Sequence, residues 1–483
     1  MVASSLPGGR GTVGSSAPFR WGQVRRPHSS GTYADMSCLR PWTFVVLVLI
    51  LLAPAPSATA AAARTTGDPV VPVLERVASP LRTAEPGGGV RDLGPIGRAV
   101  GDAVVVGMGE ATHGSHEFLA MKDRVFRYLV EHRGFRTFAL ETAWSTGVRL
   151  DEYVVHGKGD PERIMREDFQ YTYALNPTAE NLELVEWMRD YNRRHPHDPV
   201  RFMGDDWGYT GPELYDRVTE YVARVRPDLS PRFDALYRGL RPAVPSGEYQ
   251  KAYLARPLAE RQDMAARTGR ALALLEMLEP RGEAGRREFA EVLRHATVID
   301  QTATGYGFDF DDPRQVAEAM RWRDDVMADN IVWWHRHTGH RILLAGHNNH
   351  IGYEPEDPRV LPRTQGAFLR DRLGDGYVSV GLTFGRGSFK ATDPEEVHML
   401  THTVGAPRPG SNEHTLDQVR YGRWVLDLRT APGPARPWLA EARPTRSVGT
   451  SYPEERNWFD IALGRCYDVV IHQDRVRAVD LLS

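Results

Sequence analysis

A carboxylate and an imidazole stand three residues apart in Gly109-Glu110-Ala111-Thr112-His113-Gly114, directly after the apolar run Ala103-Val104-Val105-Val106. A neutral imidazole, with an ordinary pKa of about 6.5, takes a proton from water near neutral pH. A carboxylate beside it fixes its tautomer and stabilises the imidazolium. Three more groups extend the set. Glu141 closes the apolar run 135–140, and His347 and His350 follow the run 341–345 in Gly346-His347-Asn348-Asn349-His350. Two carboxylates a few ångströms apart repel, and the pKa of one rises. Glu141 therefore either orients His113 or holds the water. The histidine pair can hold a substrate carbonyl or protonate a leaving alkoxide. Lys122 offers positive charge to a developing oxyanion, and Asp206 and Asn348 join it as candidate substrate-binding residues.

These groups matter because of the elements that must carry them. Short buried-type runs at 103–106, 135–140, 200–203, 341–345 and 378–382 alternate with segments of helical spacing, such as Phe118, Met121, Val125, Phe126 and Leu129. Strand alternating with helix predicts a parallel sheet covered on both faces. Ligands of such sheets bind beyond the carboxyl ends of the strands. Glu110, Glu141, Asp205 or Asp206, and His347 all fall at those ends. The fold class expected is α/β: a central, mainly parallel sheet flanked by helices, with a helical insertion at about 211–335. Alternating stretches at 424–428 and 467–471 predict a strand-containing C-terminal extension that adds edge strands to the same sheet.

Other chemistries find little support. No G-x-S-x-G elbow and no H-E-x-x-H helix is present. The chain has two cysteines, Cys38 and Cys466, neither in a nucleophile setting. A metal site built from His113, His347, His350 and a glutamate is possible on ligand types, and spacing alone does not decide between a metal and a metal-free base. His116 and Glu117 read as capping and packing residues, and the acidic run Asp309, Asp311, Asp312 as a turn before a helix.

The 483 residues carry a formal net charge of −3, which points to neither nucleic acid nor an anionic membrane. Residues 1–35 are rich in Gly, Ser, Pro and Arg and lack apolar periodicity. Met36, Arg40, the apolar run from Trp42 to Leu52 and Ala58-Thr59-Ala60 then have the layout of a secretory signal. Residues 1–63 are thus expected to be an extension and signal, and 64–483 the folded domain. Five arginines and one aspartate lie in the first 60 residues, so the remainder carries −7. Without an internal disulfide, the exported protein must rely on its core. No stable membrane association is expected once the signal is removed.

The stretch Gly109-Glu110-Ala111-Thr112-His113-Gly114-Ser115-His116-Glu117-Phe118 resembles the G-E-x-x-H-G-x-x-E-F block of the erythromycin esterase family. Glu141-Thr142, Gly204-Asp205-Asp206, Arg323-Asp324 with Met327 and Asn330, and the 346–350 motif extend the resemblance in order and spacing. It implies an ester hydrolase that opens macrolide lactones with activated water. His113 would be the base, with Glu110, Glu141, His347 and His350 completing the site and no cofactor required. Where the family commonly has arginine, this chain has Lys122, which keeps the charge and loses the planar fork. The resemblance also implies a small-molecule ester or macrolide as partner and a fold that agrees with the strand reading. Two other functions compete with this one: a metal-dependent hydrolase using the same His/Glu cluster, and a non-catalytic exported protein that binds haem or another ligand.

Overall fold

The computed structural model describes residues 68–280, 282–393, 398–453 and 456–482. The extension and signal expected over 1–63 lie outside them. The described strands, in chain order, are β1 (Ser79–Pro80), β2 (Val105–Met108), β3 (Phe135–Ala143), β4 (Arg201–Asp206), β5 (Arg341–Ala345), β6 (Tyr377–Thr392), β7 (Met399–Val404), β8 (Arg423–Asp427), β9 (Arg443–Arg446), β10 (Trp458–Ile461) and β11 (Val469–Val476). Nine of them form one sheet in the order β1-β8-β11-β6-β2-β5-β3-β4, with β7 paired to β6; β9 and β10 form a separate hairpin-like pair. Six neighbours, from β11 to β4, run parallel. β8, β1 and β7 join antiparallel. The continuous apolar runs of β2 and β5 suit strands buried on both faces, and β2 is buried at every position.

Local signals set the covering helices. His116–Arg133 ends at Gly134, whose φ of 69° is the left-handed conformation that favours glycine. Ala179–Arg194 starts where the Thr178 side chain accepts the Asn181 N–H, and Pro313–Thr338 where Asp312 accepts the Arg314 N–H. Between β4 and β5 the described residues carry helices and no strand, including Leu258–Glu276 and Gly282–Tyr306. The helical insertion expected at 211–335 occupies this stretch. No helix among the described residues is long and apolar enough to cross a membrane.

Two strand expectations need correction. β11 is not an edge strand: it lies between β6 and β8, parallel to the first. Its run Val469-Val470-Ile471 is buried throughout, as an interior strand requires. The strand read at 378–382 is the first part of the sixteen-residue β6. From Arg386 onwards β6 turns more polar and pairs with β7, and Lys390 N–H donates to Gly114 O at 2.9 Å. A Cβ on Gly114 would collide with the Lys390 backbone, so the glycine lets β6 pass directly against the Glu-x-x-His loop.

Candidate active site

The carboxyl ends of β2, β3, β4 and β5 bring the expected groups together. Glu110 and His113 follow β2, Glu141 lies two residues before the end of β3, Asp206 ends β4, and His347 opens the turn after β5. β3 is irregular at this point. Leu140 pairs with Gly204 and Ala143 with Asp206, so three steps on β3 match two on β4. Such a bulge re-aims side chains, and Glu141 lies within it.

The first half of the site is a chain of three polar side chains. His113 Nδ1 donates to Glu110 Oε1 at 2.7 Å, and Lys122 Nζ donates to Glu110 Oε2 at 2.5 Å and to Gly346 O at 3.2 Å. Burial works to raise the Glu110 pKa, but the Lys122 ammonium, with help from His113, holds the carboxyl below its usual range. An ionised Glu110 fixes the proton on Nδ1 and leaves Nε2 of His113 with its lone pair. Among His113, Glu110, Glu141 and His350, the His113 side chain is the most open, 17% exposed against 6–10% for the rest.

The second half centres on an arginine that was not among the expected site residues. Arg323, from the Pro313–Thr338 helix, donates to Asp206 Oδ2 at 2.7 and 3.0 Å and to Glu141 Oε1 at 2.9 Å. Glu141 Oε2 accepts the His347 N–H at 2.8 Å. Burial opposes the ionisation of Glu141, yet the charges of His350 and Arg323 hold its pKa well below the carboxylate range. His350 Nδ1 lies 2.9 Å from both oxygens of Asp324, and its Nε2 lies 3.4 Å from Glu141 Oε1. Burial penalises the imidazolium, but Asp324 and Glu141 raise it to about 9. Arg323 Nη1, 3.0 Å from the same Nε2, works against that charge. Two carboxylates outweigh one guanidinium, which favours the charged ring. Burial also lifts the Asp324 carboxyl, but this oxygen pair additionally accepts the Gln365 N–H at 2.7 Å, which favours the carboxylate.

His347 stands beside His113, ring centroids 5.0 Å apart, but its nitrogens are committed. Nδ1 accepts the Asn349 N–H at 3.2 Å and Nε2 donates to Val448 O at 3.1 Å. Burial, reinforced by His113, pushes its pKa down to about 3. Of the two imidazoles expected to hold a carbonyl or protonate an alkoxide, His347 is thus held neutral, while the carboxylates beside His350 favour its charged form.

Three residues expected to bind substrate have their polar groups taken up within the protein. Lys122 is buried and spent on Glu110. Asp206 is fully buried, with Oδ2 on Arg323 and Oδ1 accepting the Trp207 N–H. The Asn348 amide is satisfied at both ends by Leu382, through Nδ2 to O at 2.8 Å and from N–H to Oδ1 at 3.1 Å. Each is a polar residue inside a packed layer, where unpaired groups are costly, so each is paired within the protein. Asp205, which could have capped a helix, instead accepts the Gln365 amide at 2.7 Å; burial and Asp206 hold its pKa well above the carboxylate range.

Among the described residues, no group of three His, Cys, Asp or Glu side chains has an arrangement able to hold a metal ion. The carboxylates that would supply ligands are met by Lys122 and Arg323. Arg323 and Asp324 stand in the 323–330 stretch of the family resemblance, which gave them no role in the site. Ser447 and Val448 at the wall of the site carried no signal, being far along the chain in an irregular segment.

The family model described as erythromycin esterase matches residues 130–476. An erythromycin esterase type II of Escherichia coli is 23% identical over 339 residues, 65% of this chain and 77% of its own length. The crystal structure of a succinoglycan biosynthesis protein is 28% identical, with a TM-score of 0.75 over 85% of this chain and 98% of its own. An erythromycin esterase mutant in an open conformation shares the fold at a TM-score of 0.64, with 17% identity over 83% of this chain and 98% of its own.

Proposed function

The chain belongs to the erythromycin esterase family, a family of hydrolases, and we propose that it cleaves a carboxylic ester, with a macrolide lactone as the leading candidate, using water activated by His113 and no covalent intermediate. The observation that carries this reading is the Glu110–His113 pair at 2.7 Å, with Glu110 kept ionised by Lys122 and His113 the most open member of the cluster. The water oxygen attacks the carbonyl carbon as its proton passes to Nε2. Glu110 then stabilises the imidazolium, as the buried carboxylate of a catalytic triad does. The oxygen that gains negative charge is met by the positive charge of Arg323 and His350. Breakage of the C–O bond yields a carboxylic acid and an alcohol. We further propose that this happens outside the cytoplasm, after loss of the signal-bearing 1–63 segment.

The test is to incubate the purified protein with erythromycin, simpler lactones and acylated polysaccharides, and to follow the gain of one water by mass spectrometry. His113→Ala is expected to abolish turnover while the circular dichroism spectrum is retained. Undiminished hydrolysis by that variant would overturn the reading. In heavy-oxygen water, single-turnover label should enter the acid product and no protein side chain.

A further inference from the structure

A second cavity, of about 560 Å³, opens at the far end of β4 from the catalytic groups. Arg201, which begins β4, stands in its wall, while Asp206, which ends the strand, belongs to the active site. Five strand steps of about 3.3 Å put roughly 17 Å between them. The helices Trp144–His156, Pro212–Val225, Gly282–Tyr306 and Pro313–Thr338 supply the other walls. No residue of the hydrolytic site lines this cavity. One side of it is aromatic. Trp144 packs edge-on against Trp333 and Trp334, and the rings of Trp333 and His337 stack at 4.6 Å and 11°.

The charged residues of the wall cancel. Arg201 donates to Asp151 from Nε at 2.9 Å and from Nη2 at 2.5 Å, and Arg217 Nη2 donates to Glu152 Oε1 at 3.2 Å. His337 Nε2 lies 3.4 Å from Glu291 Oε1. With Arg287, three arginines face three carboxylates. One polar group is left over. His295 lines the cavity and is 6% exposed, and its Nδ1 is sealed from solvent with no hydrogen-bond partner among the described residues. Nε2 is the ring nitrogen left to meet a ligand. Burial, with Arg217 nearby, pushes the His295 pKa down to about 3, so the ring is neutral. Glu291 precedes His295 by four residues on one helix, which puts both side chains on the same face.

We propose that this cavity binds a neutral oligosaccharide, with His295 and Glu291 holding hydroxyls of one sugar and the tryptophan-lined side packing against its C–H face. Three observations select that class. Balanced charge leaves no local field to draw phosphate or another ion. The volume falls within the range of about 300–1,000 Å³ typical of small-molecule sites, which pair aromatic walls with a few placed polar groups. A hydroxyl both donates and accepts, so it satisfies the neutral His295 ring in either tautomer and the Glu291 carboxylate as well. A wholly apolar ligand would desolvate both without pairing them. C–H groups carry slight positive charge, which suits the negative faces of indole rings. The proposal is independent of the hydrolytic function above, since it concerns binding alone at the other end of the strand.

The experiment titrates the purified protein with a panel of neutral di- and trisaccharides, and with a uronic-acid disaccharide and inorganic phosphate for comparison. Tryptophan emission and calorimetric heat report binding. At least one neutral sugar should saturate at millimolar concentration and change the emission. His295→Leu and Glu291→Ala should each weaken that sugar about tenfold, the scale of one hydrogen bond. Glu291 is exposed, so Glu291→Ala should keep the circular dichroism spectrum and nearly the same Tm; it decides the matter even where His295→Leu fails to fold. Saturation by no neutral sugar, tighter binding of the uronic-acid disaccharide or phosphate, or unchanged affinity in folded Glu291→Ala would each overturn the proposal. Ester hydrolysis enters none of these outcomes, so that function stands or falls separately.

Discussion

The clearest quantitative consequence of the site concerns His350. Its ordinary pKa of 6.5 is raised to about 9, because Asp324 and Glu141 outweigh both burial and Arg323. The folded protein therefore holds a proton that the unfolded chain releases between those values. The side chain is 8% exposed, so solvent screening takes little from the effect. The shift corresponds to about 3 kcal/mol of stability. Because the folded-state pKa is the higher one, that contribution is fully present below pH 6.5 and is lost as pH rises through 9. Asp324→Asn removes the larger of the two charges that raise His350. The variant starts less stable, since Asp324 also accepts the Gln365 N–H, but its stability should fall less between pH 6.5 and 9. Urea unfolding at pH 6, 7.5 and 9 measures both slopes. Their difference should approach about 3 kcal/mol across the window. Parallel curves for the two proteins would show that His350 is neutral in the fold and that the Arg323 contact decides its state.

Lys122→Met leaves Glu110 buried without its cation and should cost about 3–5 kcal/mol, read as a fall in Tm that Lys122→Arg partly recovers; an unchanged Tm would refute the pairing. Arg323→Lys keeps the charge but cannot bridge Glu141, Asp206 and His350 at once, so kcat should fall at least about tenfold while KM changes less, on the scale of one charged hydrogen bond. Overnight dialysis against a chelator should leave hydrolysis unchanged, since Lys122 and Arg323 already neutralise the carboxylates; activity lost on dialysis and restored by zinc would contradict this.

Much of this arrangement is legible in the residues. The buried runs at 103–106, 135–140 and 341–345 mark strands because both faces of a parallel sheet are covered, and the groups that follow them must gather at one edge. The Pro313–Thr338 helix is readable from Asp312-Pro313 and Gly339 to the residue. What could not be read is which polar residues are taken up by partners within the protein and which stay open. Lys122, Asp206 and Asn348 have the same chemistry in either position, and only packing tells Leu382 from a substrate as the partner of an amide. The role of Arg323 hides for a related reason: it stands in the family resemblance, but in an arginine-rich chain a single guanidinium does not show its task until two carboxylates are seen around it. The interior place of β11 depends on pairing across nearly a hundred residues, which local pattern does not encode.

That last strand also fixes the order in which the molecule can be completed. β6 emerges from synthesis with its β11 flank unpaired, and β8, already made, has no neighbour through which to join the sheet. Only when 469–476 arrive do the two halves meet, and Ser115 gains its bridge to Ala478 in the same event. A chain cut short before this strand would lose the junction of the sheet and a buttress of the His113 loop together. The sheet is therefore completed only once nearly the whole chain is present.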